Sequence, residues 1–179
     1  MRKAFLLKFL YIFFTSPLPV SGYTVNYNYN HIISDSDLFD YDSMGIAEIF
    51  SFLNEYGSPL KDQFFLDYGG KKKHAVSIIY QSAIENKINP KFILTMLQKE
   101  QGLIENSNPE QKNYDWAVGY GLCDGCLLND PKIREFKGFG NQVDLLGKIF
   151  QKYFREPDTY RCRANTSCAI DYVEIISAN

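Results

Sequence analysis

The sequence predicts a mainly helical, single-domain protein that carries at most one small turn or hairpin region. Four segments repeat their apolar residues three, four and seven positions apart, which is the spacing of one helical face. Of the 179 residues, 45% are hydrophobic, enough to bury one core. The segments span residues 44–56, 73–86 and 90–101 and the region that begins near Asn141.

The N-terminal 22 residues are predicted to be a secretory signal peptide. Arg2 and Lys3 precede an apolar run, and the small residues Ser21 and Gly22 offer a cleavage site. An apolar run of roughly 11 residues is shorter than the ~20 that span a bilayer, which disfavours an uncleaved anchor. We therefore expect a secreted or periplasmic protein.

Removal of this segment takes 22 of the 179 residues and leaves 157. The net charge falls from −2 to −5, because the segment carries three positive and no negative charges. An acidic chain lacks the basic footprint of a nucleic-acid-binding protein. We expect no nucleic-acid partner, no membrane partner for the mature form, and a monomer.

Residues 23–42 are predicted to be an extended arm or linker, because Asn, Tyr, Ser and Asp follow one another there without a steady period. The domain is expected to fill residues 43–179. Its first helix would be capped by Asp42 or Ser43 and would end before Gly57.

The second helix follows a run of three lysines at positions 71–73. Positive charge near a helix start opposes the helix dipole, so the run is interpreted as a solvated surface patch. Contact with an anionic substrate is the alternative.

The third helix has the clearest boundaries in the sequence. Asn89 is a good N-cap, Pro90 suits the first turn, and Gly102 suits the position just past the end. Glu100 lies seven residues after Ile93, which places it at the edge of the apolar face. Partial burial and the negative end of the helix dipole would both favour the uncharged acid there.

Residues 115–125 contain three glycines beside Trp116 and Tyr120 and predict a turn or short hairpin in which backbone can approach a ligand. The fourth helix follows near Asn141, and the tail beyond Pro157 ends in a segment that could form one strand.

Four cysteines in an exported chain predict disulfides. We expect local pairs, Cys123 with Cys126 and Cys162 with Cys168, which would staple the tail. Zinc is the rival interpretation, but neither histidine lies near these cysteines. A redox Cys-x-x-Cys normally opens a helix after a strand, whereas Cys123 and Cys126 lie in a predicted loop.

The segment from Ile88 to Gly102 resembles the catalytic helix of the lysozyme-like superfamily, in which an apolar helix ends in a Glu. Downstream, Gly119-Tyr120-Gly121-Leu122 resembles the first four places of the family's Gly-aromatic-Gly-Leu-Met-Gln turn. Cys123-Asp124 then stands where Met-Gln is usual, and Asp115 occupies the place of an acid found in goose-type lysozymes. The resemblance covers about residues 75–154 and implies the lysozyme-like fold.

That resemblance implies a secreted enzyme that cleaves β-1,4 linkages of peptidoglycan or a related aminosugar polymer, as a lysozyme or a lytic transglycosylase. Glu100 would protonate the glycosidic oxygen, and Asp115 or, failing it, Asp124 would activate water. No metal or organic cofactor is expected. The residues implied to contact substrate are Gln101, Trp116, Gly119, Tyr120, Gly121 and Asp124.

Three other interpretations stay open at this point. Glu100 could be an ordinary helix residue paired with Lys99. The whole chain could be a non-catalytic glycan-binding module, as its acidic charge favours. A thiol oxidoreductase built on Cys123 and Cys126 is the third.

Overall fold

Helices dominate the part of the chain that the computed structural model describes, which comprises residues 33–123, 125, 127–156, 159, 167–170 and 173–176. The prediction of a mainly helical fold is confirmed. The predicted signal peptide, residues 1–22, lies outside the described residues. The helices are α1 (Asp35–Leu38), α2 (Ile46–Glu55), α3 (Ala75–Asn86), α4 (Pro90–Gln101), α5 (Gln111–Asp115) and α6 (Phe139–Arg155), and the strands are β1 (Phe64–Leu66), β2 (Lys72–His74), β3 (Ser167–Ile170) and β4 (Val173–Ile176).

The core lies between α3, α4 and α6, with α2 closing one side. Ile79, Leu97 and Val143 are each fully buried in it. Polar contacts add to the packing where α3 meets α6, since the Ser82 hydroxyl donates to the Val143 carbonyl at 3.0 Å. Burial of these apolar faces is the main source of stability in such a domain.

One helical turn, α1, lies inside the region predicted to be an extended arm. Ser34 caps it by accepting a hydrogen bond from the Asp37 backbone N–H at 3.0 Å. The Asn89 side chain then donates to the Asp37 carbonyl at 2.7 Å. The second half of the predicted arm is therefore tied to the start of α4, while residues 23–32 lie outside the described residues.

The hairpin forms within residues 64–74, where β1 and β2 pair antiparallel and the sequence had indicated only a connector. Residues 115–123 and 125 hold the end of α5 and a series of turns, which is the first of the two predicted forms, a turn or a short hairpin. Gly70, with φ +77°, forms the connection between the strands, and Asp67 accepts a hydrogen bond from the Lys71 N–H at 2.9 Å. Strands of three residues are too short to give a readable alternation, so the sequence indicated only a connector here.

The tail contains a second antiparallel pair of strands. β3 pairs with β4, and Ser167 lies opposite Ile176 in the register. Cys123 takes part in a disulfide. Cys126 and Cys162 and the side chain of Cys168 lie outside the described residues, so the local pairs and the stapled tail stay predictions. The cysteine pairing that would carry a thiol oxidoreductase lies outside them as well.

Candidate active site

Helix α4 positions Glu100 as the sequence predicted. The Asn89 side chain accepts a hydrogen bond from the Lys91 N–H at 2.8 Å, and Pro90 occupies the first turn. Gly102, with φ +65°, takes the left-handed conformation that ends the helix. The buried face of α4 anchors it in the core, so the last turn, with Glu100, has a fixed backbone.

The Glu100 side chain lies at the surface and is 31% exposed. Its Oε1 atom accepts from the Lys99 ammonium group at 2.8 Å, and Lys99 itself is 69% exposed. Its Oε2 atom lies 3.9 Å from the place where a Cβ on Gly119 would stand. Glu100 therefore faces the glycine turn, as expected, and also has the lysine partner of the ordinary-helix interpretation.

The glycine turn depends on two positive φ angles. Gly119 has φ +69° and Gly121 has φ +80°, a region that side-chain-bearing residues rarely adopt. A Cβ on Gly121 would also overlap the ring of Phe136. Both glycines thus have a backbone reason to be present, in addition to any contact with a ligand.

Gln142 of α6 holds this turn and was not recognised from the sequence. Its amide is fully buried and makes four hydrogen bonds. The oxygen accepts from the N–H groups of Val118 at 3.3 Å and Tyr120 at 3.0 Å, and the nitrogen donates to the carbonyls of Tyr120 at 3.0 Å and Phe136 at 2.7 Å. The available signal was an amide at a position of the helix that faces the core, three residues after Phe139.

The two aromatic residues proposed to contact substrate are placed differently from each other. Trp116 is only 3% exposed, so it is a core residue and offers no ring face to a ligand, which corrects the expected sugar contact. Tyr120 is half-buried and meets the Phe136 ring edge-on at 5.4 Å. Its ring is held by the same turn that faces Glu100.

Gln101 and Asp115 act as links between elements. The Gln101 side chain accepts from the Asn113 amide at 2.8 Å, which joins the end of α4 to α5. Asp115 is 16% exposed, pairs with the Lys137 ammonium group at 3.2 Å and accepts from the Gln111 amide at 3.1 Å. Its carbonyl accepts from the Gly138 N–H at 2.8 Å, so Asp115 connects α5 to the start of α6.

Asp115 also lines a groove of about 430 Å³ between the β1–β2 hairpin, α5 and α6, and Glu100 is not among its lining residues. Asp124, the alternative base, lies outside the described residues.

Within the described part of the chain, no group of three or more His, Cys, Asp or Glu side chains could hold a metal ion. No helix in that part has the length and apolar character needed to cross a membrane.

Two further carboxylates pair with lysines near the hairpin. The Lys73 ammonium group lies 2.7 Å from Asp67, and its hydrogen bond, with that of the Lys71 N–H, holds the pKa of the Asp67 carboxyl below its usual range. Asp144, 10% exposed, pairs with Lys148 at 2.7 Å. Burial lowers the pKa of Lys148. The Asp144 carboxylate and, to a smaller extent, Tyr68 raise it, and together they outweigh burial, so the pKa of Lys148 is above its usual value.

A family model described as LasA, N-terminal domain, matches residues 31–154. No curated protein and no solved structure matches the chain. The predicted membership in the lysozyme-like superfamily is therefore wrong. The glycines that carried that resemblance have local causes: Gly102 ends a helix, and Gly119 and Gly121 form a tight turn. A helix cap and a turn reproduced two short motifs without family membership.

Proposed function

We propose that this chain, which belongs to the LasA N-terminal domain family, cleaves β-1,4 linkages between aminosugars of a peptidoglycan-like polymer with Glu100 as general acid. The family description states no reaction, so the proposal depends on the geometry around Glu100. The observation that carries it is a part-exposed carboxyl group on a rigid helix end, facing a backbone turn that Gln142 fixes.

The chemistry requires such an acid, because a glycosidic oxygen leaves only when it receives a proton as its bond breaks. A turn built on glycine has no Cβ in the way, so peptide N–H and C=O groups can approach the amides of an aminosugar closely. Lys99 does not block this use of Glu100, since exposed ion pairs stabilise by only about 0–1 kcal/mol and exchange with other partners.

Asp115 is a weaker candidate for the second carboxylate. Both of its oxygens already have protein partners, Lys137 and Gln111. Activation of water by Asp115 would require the Lys137 contact to open. We therefore assign Glu100 as the one protein group in the proposed reaction: it gives its proton to the leaving oxygen, while a hydroxyl or acetamido group of the substrate, or a solvent water, bonds to the anomeric carbon. Asp115 is treated as a positioning residue between α5 and α6.

The test compares Glu100→Gln with Glu105→Gln on purified peptidoglycan sacculi. Glu105 is a suitable control because it is exposed and lies close by in sequence. Within the described part of the chain, its side chain bonds only that of Gln98, and its backbone N–H bonds Gln98 and Gly102. Loss of a general acid should reduce the release of soluble fragments by about 10²-fold or more, and the control should match the wild type. Undiminished release by Glu100→Gln would reject the proposal.

A non-catalytic glycan-binding module is the second candidate. Both Glu100 and Asp115 pair with lysines, which favours this candidate, because neither carboxylate is free to act on a substrate without losing that partner. Wild-type protein that sediments with sacculi but releases no fragments would support binding alone. Either function requires export, which the N-terminal 22 residues predict.

A further inference from the structure

We propose that the outer face of the β1–β2 hairpin binds the surface of an anionic lipid bilayer. This outer face comprises Phe64, Leu66 and Lys72 of the strands, and the exposed side chains of Tyr68 and Lys71 adjoin it at the hairpin turn. It is independent of the proposed cleavage by Glu100, and it differs from the untested expectation from the sequence that the mature chain has no membrane partner.

The strand β1 separates its side chains onto two faces. Phe65 points inward, where its ring stacks on Phe139 at 4.5 Å and meets Tyr114 at 5.0 Å. Phe64 and Leu66 point the other way and are 55% and 61% exposed. Tyr68, which follows at the hairpin turn, is 56% exposed. Large apolar side chains grouped in this way at the surface can mark an interaction site.

The second strand adds positive charge to the same face. Residues directly opposite each other in an antiparallel pair share a face, and the register sets Lys72 opposite Leu66. Lys73 is on the inner face, where it pairs with Asp67 and bonds Gln81. Lys71 and Lys72 are exposed, and their ammonium groups have no hydrogen-bond or ion-pair partner among the described residues.

Tyr68 is oriented by a neighbouring cation. The Lys148 ammonium group lies 3.6 Å from the centre of the Tyr68 ring while it also pairs with Asp144. This contact holds the ring beside α6 at the tip of the hairpin. A tyrosine with an apolar ring and a polar hydroxyl is a typical side chain of the bilayer interface.

The combination distinguishes a lipid surface from an anionic glycan. Unpaired lysines would attract either one, and the Phe64 ring could also lie on a sugar face, but the aliphatic side chain of Leu66 beside it is suited to the boundary between headgroups and acyl chains. Lysines beside such residues would keep their ammonium groups at the phosphates. In a chain with a net charge of −2, a cationic edge next to an apolar stripe is a local feature and does not follow from the overall charge.

The test measures sedimentation of the purified protein with vesicles of phosphatidylcholine that contain phosphatidylglycerol, and with vesicles of phosphatidylcholine alone. We expect binding to the anionic vesicles that weakens with added salt. The double variant Lys71→Gln, Lys72→Gln should bind roughly 30-fold more weakly, at about fivefold for each lysine. Leu66→Ser should bind about tenfold more weakly, because it loses a buried apolar side chain.

The controls are Lys91→Gln with Lys132→Gln, and Ile46→Ser, which change exposed residues on other elements and should leave binding unaltered. Absence of vesicle binding, or equal binding to neutral vesicles, would overturn the proposal. Binding that Leu66→Ser leaves intact and that soluble dextran sulfate abolishes would indicate an anionic polymer as partner, and would also overturn it. Sacculus cleavage by the same variants is measured separately and does not enter this outcome.

Discussion

Glu100 and Asp115 are two carboxylates at the ends of neighbouring helices, and they differ in what holds them. The Glu100 side chain contacts one exposed lysine and faces an open glycine turn. The Asp115 side chain and backbone bind three partners: Gln111 within α5, and Lys137 and Gly138, which join α5 to the start of α6. A carboxylate with many protein partners stabilises the fold, whereas one with few partners at a fixed position is available to a substrate. Substitution of these carboxylates, and of the Gln142 side chain that fixes the turn, tests this difference.

Replacement of Gln142 by Leu should have the largest effect on stability. The change leaves the N–H groups of Val118 and Tyr120 and two carbonyls without partners in the core. We expect the free energy of unfolding to fall by roughly 3–4 kcal/mol, measured by urea denaturation.

The matched control is Gln151→Leu, on the same helix, because among the described residues the Gln151 side chain makes a single exposed hydrogen bond, to the Lys87 carbonyl. That control should lose less than about 1 kcal/mol. Similar losses in both variants would mean that the buried amide does not fix the turn that faces Glu100.

Asp115→Ala should destabilise the protein by about 1–2 kcal/mol, because the Lys137 and Gln111 contacts are lost at a site that is mostly buried. Thermal or urea unfolding measures this change. Since the backbone carbonyl of Asp115 still accepts from Gly138, the variant should fold. A stability equal to that of the wild type would remove the contrast with Glu100.

Asp67 gives a third carboxylate for the comparison, and its effect should appear in the pH dependence of stability. Its pKa is below the usual 3.8 because of Lys73 and Lys71. A group with a lowered folded-state pKa stabilises the fold above its unfolded pKa, and that contribution is lost as pH falls through the folded value. Wild-type stability should therefore drop below about pH 4 by more than that of Asp67→Asn, measured by urea unfolding from pH 7 to pH 2. Parallel curves for the two proteins would contradict the lowered pKa.

Local chemistry explains which parts of the fold could be predicted. Helix α4 was predicted because Asn89, Pro90 and Gly102 each act on their own backbone or that of near neighbours. The β1–β2 hairpin could not be predicted from the sequence. Its short strands are stabilised by packing of Phe65 on Phe139, which lies more than seventy residues away in sequence. Tertiary packing of this kind leaves no periodic signal in a three-residue strand.

The candidate site shows the same division. Glu100 beside the glycine turn could be anticipated from residue order, since a helix end and a following turn often meet. Gln142 could not, because its role depends on four backbone groups that only the fold brings together. Trp116 was expected by analogy to contact substrate, but its ring is buried in the core. The family assignment failed because glycines at caps and turns recur in unrelated folds.

The smallest change in stability is expected for Glu100→Gln. This variant also gives the most direct test of Glu100 as the general acid. One exposed ion pair with Lys99 is lost, so the free energy of unfolding should stay within about 0.5 kcal/mol of the wild type. The measurement is fragment release from sacculi by that same folded sample, quantified by mass spectrometry against wild type. We predict intact stability with release reduced to background, and full release by the stable variant would contradict the assignment of Glu100 as the acid.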